Sequence, residues 1–149
     1  MIGAMISQTA EYALRAAVFL AEHPQTAFPI PRIALATQVP PQYLAKVMQD
    51  LARQLVVTST RGAKGGYALA RPANEVTLYE IVQAVDPIMR IMRCPLGLAA
   101  HSAQLCTLHA RIDGACAAFE ATCRQTTLGE LLDQAALSPA AGGRPWPLR

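Results

Sequence analysis

The run RGAKGGYALAR, residues 61 to 71, arrives directly after the helical-looking segment PPQYLAKVMQDLARQ. Glycines at 62, 65 and 66 supply the positive backbone angles of a tight turn, which predicts a hairpin. Arg61, Lys64 and Arg71 set positive charge along its strands and at its tip, where phosphates would lie. A helix with a polar, basic outer face joined to a basic glycine-rich hairpin suits a winged helix meeting double-stranded DNA. This junction decides the class of the chain.

The surrounding pattern predicts a mainly α fold with a small β-hairpin wing. Ser7 or Thr9 can cap a first helix running to about Glu22, with Leu14, Ala17, Val18 and Ala21 at helical spacing. A second short helix covers roughly Pro31 to Gln38. Pro41 suits the first turn of a third helix, which buries Leu44, Val47, Met48, Leu51 and Leu55. Its other face carries Gln42, Tyr43, Lys46, Gln49 and Arg53. With a hairpin from about Val56 to Ala70, this spells helix-turn-helix plus wing. Gln42, Tyr43, Lys46 and Gln49 are the candidates to meet base edges and phosphates, and Arg61 and Lys64 the candidates on the wing.

Charge supports this placement by its distribution more than by its sum. The chain of 149 residues carries a net charge of only +3. Residues 46 to 71 alone hold five cations against the single acid Asp50, a local +4. No apolar run is long enough to span a bilayer, and the start MIGAMISQTAEY lacks the charged opening and cleavage site of a secretory signal. A cytoplasmic location and no membrane partner are therefore expected.

Further along, Thr77-Leu78-Tyr79-Glu80 forms a capping box opening a helix with Leu78, Ile81, Val82 and Val85 on one side. A loop follows from about Ile88 to Gln104. A long helix from about Cys106 to Gln125 carries the apolar stripe Leu108, Ile112, Cys116, Phe119 and Cys123. A second box, Thr127 to Glu130, starts a short helix. The expected division is a winged helix-turn-helix DNA-binding domain over 1–87 and a sensor loop over 88–105. A dimerisation helix with a short terminal helix would span 106–137, and a disordered tail 138–149.

The four cysteines, at 94, 106, 116 and 123, all lie in the second half. In a cytosolic chain they argue for metal, cluster or redox chemistry rather than structural disulfides. Cys106 and His109 would share one face at a helix start, both soft enough for iron–sulfur or zinc. Cys116 and Cys123 stand about 10 Å apart along a helix, too far to bridge each other. As an enzyme, a Cys106–His109 nucleophile and base would lack an evident third orienting group. The Gly-rich loop also lacks the Lys-Ser/Thr of a phosphate-gripping loop. No catalytic residue is therefore expected.

Taken together, these residues resemble the IscR/NsrR-type (Rrf-type) bacterial winged-helix transcription regulators. The carriers are Met5-Ile6-Ser7 with Glu11-Tyr12-Ala13-Leu14, and the wing Arg61-Gly62 with Gly65-Gly66-Tyr67 and Leu69. Others are the helix from Thr77 to Asp86, the pair Cys94 and Cys106, and the close from Thr127 to Leu131. The resemblance covers roughly residues 5 to 133, with residues 1 to 4 as an extension or an alternative start. It implies a homodimer joined through the long carboxy-terminal helix, binding a pseudo-palindromic operator, as a repressor. It also implies a [2Fe-2S] cluster sensing redox state, iron or nitric oxide, on Cys94, Cys106, His109 and Glu11, the acid given by the partner subunit.

One position departs from the pattern: where the middle cysteine would fall stands Ala100, followed by His101. Three readings of the loop therefore stay open, a cluster or metal, a thiol-only sensor, and a cofactor-free regulator. Position 45, a base-discriminating position in such regulators, is Ala45. A different class, a small iron–sulfur carrier without DNA binding, is separated from a regulator by the salt dependence of duplex binding.

Overall fold

In the computed structural model, residues 6–98 and 104–137 are described. The expectations for residues 1–4, Ala100, His101 and the tail from 138 lie outside these residues. Six helices and one hairpin follow in order. They are α1 (Gln8–Ala21), α2 (Ile30–Thr37), α3 (Pro41–Arg53), β1 (Val57–Thr60), β2 (Gly66–Leu69), α4 (Leu78–Val85), α5 (Thr107–Gln125) and α6 (Leu128–Leu137). A 3-10 turn, Ala73–Glu75, sits before α4.

Helix α1 is the hub. Ser7 caps it, its Oγ accepting the Ala10 N–H at 3.1 Å. Ala10, Ala13, Ala16 and Ala17 are fully buried, and such small side chains let neighbouring backbones approach closely. Helices α2, α3, α4 and α6 all pack against α1. Leu20, Ile33, Leu44, Met48, Leu51, Val57, Val76, Ile81 and Leu128 fill one continuous core. Leu128, at the start of α6, therefore belongs to the same core as the amino-terminal helices. Its backbone N–H donates to Val76 O, and Leu78 N–H donates to Thr126 O, so α6 is stitched beside α4.

The capping box of α4 forms as expected. Thr77 Oγ1 accepts the Glu80 N–H, and the Glu80 carboxylate accepts the Thr77 N–H at 2.9 Å. Glu80 also takes the Arg71 guanidinium. Burial alone would raise its carboxyl pKa. The bonds from Thr77 and Arg71 outweigh that and hold it below the ordinary carboxylate range.

Two expectations about the α3–wing junction change. Leu55 is not on the buried face of α3, which ends at Arg53; it is 69% exposed. It adopts a left-handed backbone, φ 56, so that the chain can reverse into β1. Glycine would hold that conformation without the steric cost a β-carbon brings. Gly65, in turn, has no positive φ, unlike Gly62 and Gly66. It is required for space, because a Cβ there would collide with the Thr60 carbonyl across the turn.

Replacing Leu55 with Gly removes the left-handed strain and forfeits little packing. Leu55→Gly is expected to raise stability by roughly 0.5–1 kcal/mol, read from urea unfolding midpoints at unchanged m-value. A lower midpoint would mean that the Leu55 side chain contributes packing despite its exposure.

Candidate nucleic-acid interface and cysteine loop

Helix α3 sorts its residues cleanly by face. Leu44, Val47, Met48 and Leu51 are buried, while Gln42, Tyr43, Lys46 and Gln49 are exposed. Tyr43 is 60% exposed, so it is a free aromatic on the outer face rather than packing against α2. The hairpin pairs antiparallel, Val57 with Leu69 through Thr60 with Gly66. Arg61 and Lys64 lie in the connecting turn, both exposed. Among the described residues, none of these six side chains makes an ion pair or hydrogen bond within the protein. Their polar groups are available to an outside partner.

Arg71 behaves differently from the expectation that it lines the wing for phosphates. Its guanidinium donates to Glu80 Oε1 at 2.5 Å and to Glu75 O at 3.1 Å. It fastens the end of the hairpin to α4 and is neutralised there. Arg53 is likewise paired, with Asp50 at 2.6 Å.

A feature invisible in the sequence pattern fixes the wing's base. Phe28 forms a two-way bridge with Tyr67, Phe28 N–H to Tyr67 O at 2.9 Å and Tyr67 N–H to Phe28 O at 2.8 Å. Phe28 immediately precedes the start of α2. A Cβ on Gly66 would run into the Phe28 carbonyl and Pro29 nitrogen, so glycine lets β2 lie against that peptide. Behind it, the rings of Phe19, His23 and Phe28 pack with centroids 4.7–5.1 Å apart. His23 is thus an aromatic-packed residue whose Nδ1 lies 2.8 Å from Phe19 O in the last turn of α1.

The cysteine loop brings together only part of the expected ligand set. Cys106 is the N-cap residue of α5, and its Sγ stands 3.2 Å from His109 Nδ1. Cys94 is half-buried in a turn closed by Gly97 N–H to Cys94 O at 3.0 Å. Glu11 lies in the first turn of α1, but its carboxylate takes Arg15 Nε at 3.0 Å. Arg15 in turn reaches the Thr37 carbonyl at 3.5 Å, so this pair braces α1 against the end of α2. Among the described residues no group of three or more His, Cys, Asp or Glu converges. Among the described residues of one chain, the donors brought together fall short of the four that a [2Fe-2S] cluster takes. None of the four cysteines is in a disulfide, and burial pushes the Cys123 thiol pKa up.

The start of the loop is firmly held. Arg90 forks onto Asp113 of α5, Nε to Oδ1 at 2.7 Å and Nη2 to Oδ2 at 2.6 Å, and Ile91 N–H adds to Oδ1 at 2.8 Å. These bonds hold the Asp113 carboxyl pKa at about 2. Glu120, near Arg90, also binds Arg124, whose guanidinium lies 3.4 Å over the Tyr79 ring of α4. Gln83 of α4 donates to the Tyr79 hydroxyl and accepts the Ile88 N–H at 3.0 Å. Sequence reading missed this network because its members are far apart in the chain and individually ordinary.

Residues 6–134 match the Rrf2 family, described as iron-dependent transcriptional regulators. The chain belongs to this family. A stretch of 94 residues is 36% identical to Rv1287 of Mycobacterium tuberculosis H37Rv, assigned as an HTH-type transcriptional regulator, covering 62% of this chain and 58% of that one. Another of 92 residues is 32% identical to an assigned HTH-type transcriptional regulator of Aquifex aeolicus, covering 62% and 64%. The chain thus spans about three fifths of the length of these curated relatives. Among solved structures, IscR of T. potens superposes with a TM-score of 0.73 at 21% identity, over 90% of each chain. CymR, the global cysteine regulator of B. subtilis, gives 0.72 at 22%, over 89% of this chain and 98% of that one. These likenesses establish the mainly helical, winged-helix fold. The family and these relatives are transcriptional regulators, not enzymes.

The Asp113 clamp gives a test of loop anchoring. An aspartate held low contributes order that is complete above the ordinary carboxylate range and is lost only as pH falls through about 2. Amide exchange at Ile91 should therefore stay protected down to about pH 3. Asp113→Ala should expose the Ile91 N–H to fast exchange at neutral pH, while Ile88 stays held by Gln83 and the thermal midpoint stays nearly unchanged. Equal protection in both proteins would mean that the loop is held by something else.

Proposed function

We propose that this chain acts as a homodimeric, sequence-specific DNA-binding regulator, with α3 in the major groove and the Arg61–Lys64 turn on the flanking backbone or minor groove. The observation that carries the reading is the set of six exposed, unpartnered side chains on α3 and the wing tip. Gln42, Tyr43 and Gln49 offer donors and acceptors for base edges, and Lys46 and Lys64 compact charges for phosphates. Arg61 at the turn has the reach to enter a narrow, A·T-rich minor groove. Occupancy of promoter DNA by such a dimer excludes polymerase, so repression is the simplest output.

Dimerisation is supported by the surface of α5. Along its 19 residues only Cys123 is buried, while Leu108 is 64% and Ile112 43% exposed. An apolar stripe left in water on a long helix calls for a second helix. Pairing two copies through α5 would give the two reading heads of a pseudo-palindromic site, with half-sites about one helical turn apart.

The Cys106–His109 pair supports a soft-ligand or thiol signal at the loop. Any [2Fe-2S] cluster would need Cys94 and a further donor to complete the set; Glu11 from a partner subunit would have to leave Arg15 to serve. A carrier without DNA binding gives the free cations of α3 and the wing no partner, and is not favoured.

Two measurements test these statements. Arg61→Ala is expected to weaken binding to a selected operator duplex by about 1–3 kcal/mol, followed by fluorescence anisotropy. An unchanged titration removes Arg61 from the interface. For the loop, protein purified without oxygen is compared with Cys106→Ala by visible spectrum and by iron and sulfide content. Colour and iron lost in the variant favour a cluster, whereas colourless, iron-free wild type favours a thiol-based or cofactor-free regulator.

A further inference from the structure

The cations of residues 6–87 fall into two sets. Arg15, Arg53 and Arg71 are each held by a carboxylate, Glu11, Asp50 and Glu80 in turn. Arg32, Lys46, Arg61 and Lys64 are exposed and, among the described residues, paired with none. Three members of this second set sit on the recognition helix and the wing. Arg32 does not: it lies in the first turn of α2, at a place no motif singled out.

Its position on α2 is fixed by both sides of the helix. Ile33, Ala34 and Thr37 are buried and face the core, which turns Arg32 and Leu35 outward. The peptide just before α2, Phe28–Pro29, is the one against which β2 of the wing is bonded. Arg32, whose N–H donates to Pro29 O at 2.9 Å, is therefore one helical turn from the wing's base. In helix-turn-helix proteins the first helix of the pair crosses the sugar-phosphate backbone while the second enters the groove. An exposed guanidinium on that first helix, beside the wing, has the geometry for a forked bond to a phosphate and no base edge within its register.

Resting on the DNA-binding reading, we infer that Arg32 is a sequence-independent DNA-backbone contact that clamps α2 to the phosphates beside the wing. It sets affinity and register, not base preference. The test needs no knowledge of the operator. A labelled mixed-sequence duplex of about 30 base pairs is titrated with wild type and Arg32→Ala at several salt concentrations. Each phosphate contact contributes about 0.9 to the slope of log affinity against log salt, so losing one per subunit should flatten the slope by about 1.8 per dimer. Affinity near 0.1 M salt should fall by roughly tenfold or more. Arg32→Lys should restore most of the slope, since charge rather than fork geometry governs counterion release.

Arg93→Ala supplies the control, because Arg93 is also exposed and, among the described residues, paired with none, but lies in the loop before α5, outside the reading helices, the wing and the α5 stripe. It removes the same charge and should leave the slope as in wild type. Arg32 has no partner among the described residues, so an unchanged circular dichroism spectrum and thermal midpoint are expected. On an operator selected from random sequence, Arg32→Ala should lose the same factor as on mixed sequence. Wild-type binding with a steep slope that Arg32→Ala leaves intact would overturn the α2 contact and leave the DNA-binding reading standing. A wild-type protein with no salt-sensitive duplex binding would overturn both. Equal flattening by Arg93→Ala would assign the effect to overall charge and overturn the local contact.

Discussion

The close approach of β2 to the Phe28–Pro29 peptide is the constraint from which the outer face of this protein follows. A two-stranded hairpin alone is marginal in water. Here its second strand gains a third partner in Phe28, and the glycine at 66 is what lets the backbones meet. Because Phe28 leads straight into α2, the wing and the first helix of the reading pair become one piece. The aromatic stack of Phe19, His23 and Phe28 ties that piece to α1. Arg71 and Glu80 then fasten the other end of the hairpin to α4.

The economy of charge is the second principle. Arginines that hold the fold together are neutralised where they stand, and exposed pairs of that kind add little stability each. Within residues 6–87, the cations left without a carboxylate lie on α2, α3 and the wing. A monomer gains nothing in stability from such crowding, since like charges repel. It becomes favourable when a polyanion lies across those elements, which is why the pattern carries more information than the small net charge.

Much of this was legible in the sequence. The hairpin, both proline-led helices and the Thr77 capping box rest on local chemistry, and each forms close to where its residues predict. The outer face of α3 was also readable, because helical spacing separates it from Leu44, Val47, Met48 and Leu51. What escaped was long-range. Leu55 continues the apolar spacing of α3, yet chain reversal into β1 overrides that spacing and turns the side chain to water. Arg71 reads as wing charge because its partner Glu80 lies across the fold. Arg32 stood out in no motif; only the absence of a neighbouring carboxylate, visible in three dimensions, marks it. The ligand set Cys94, Cys106, His109 and Glu11 came from resemblance. The geometry unites Cys106 with His109 and commits Glu11 to Arg15.

Helix α4 joins the two halves of the molecule. One face, through Glu80, grips the wing's end. The other, through Tyr79 and Gln83, meets Arg124 of α5 and the backbone of Ile88. Leu128 of α6 lies in the amino-terminal core, and the strand-like bridge from Thr77 to Thr127 runs beside it. The carboxy-terminal helices are therefore not appended to a finished DNA-binding domain. Leu128 is fully buried, and a fully buried leucine contributes roughly 1.5–3 kcal/mol, a large share of the stability a small domain has. Helix α6 thus shares the amino-terminal core, while the start of the loop meets α4 through side chains: Arg90 to Glu120, Glu120 to Arg124, and Arg124 over the Tyr79 ring.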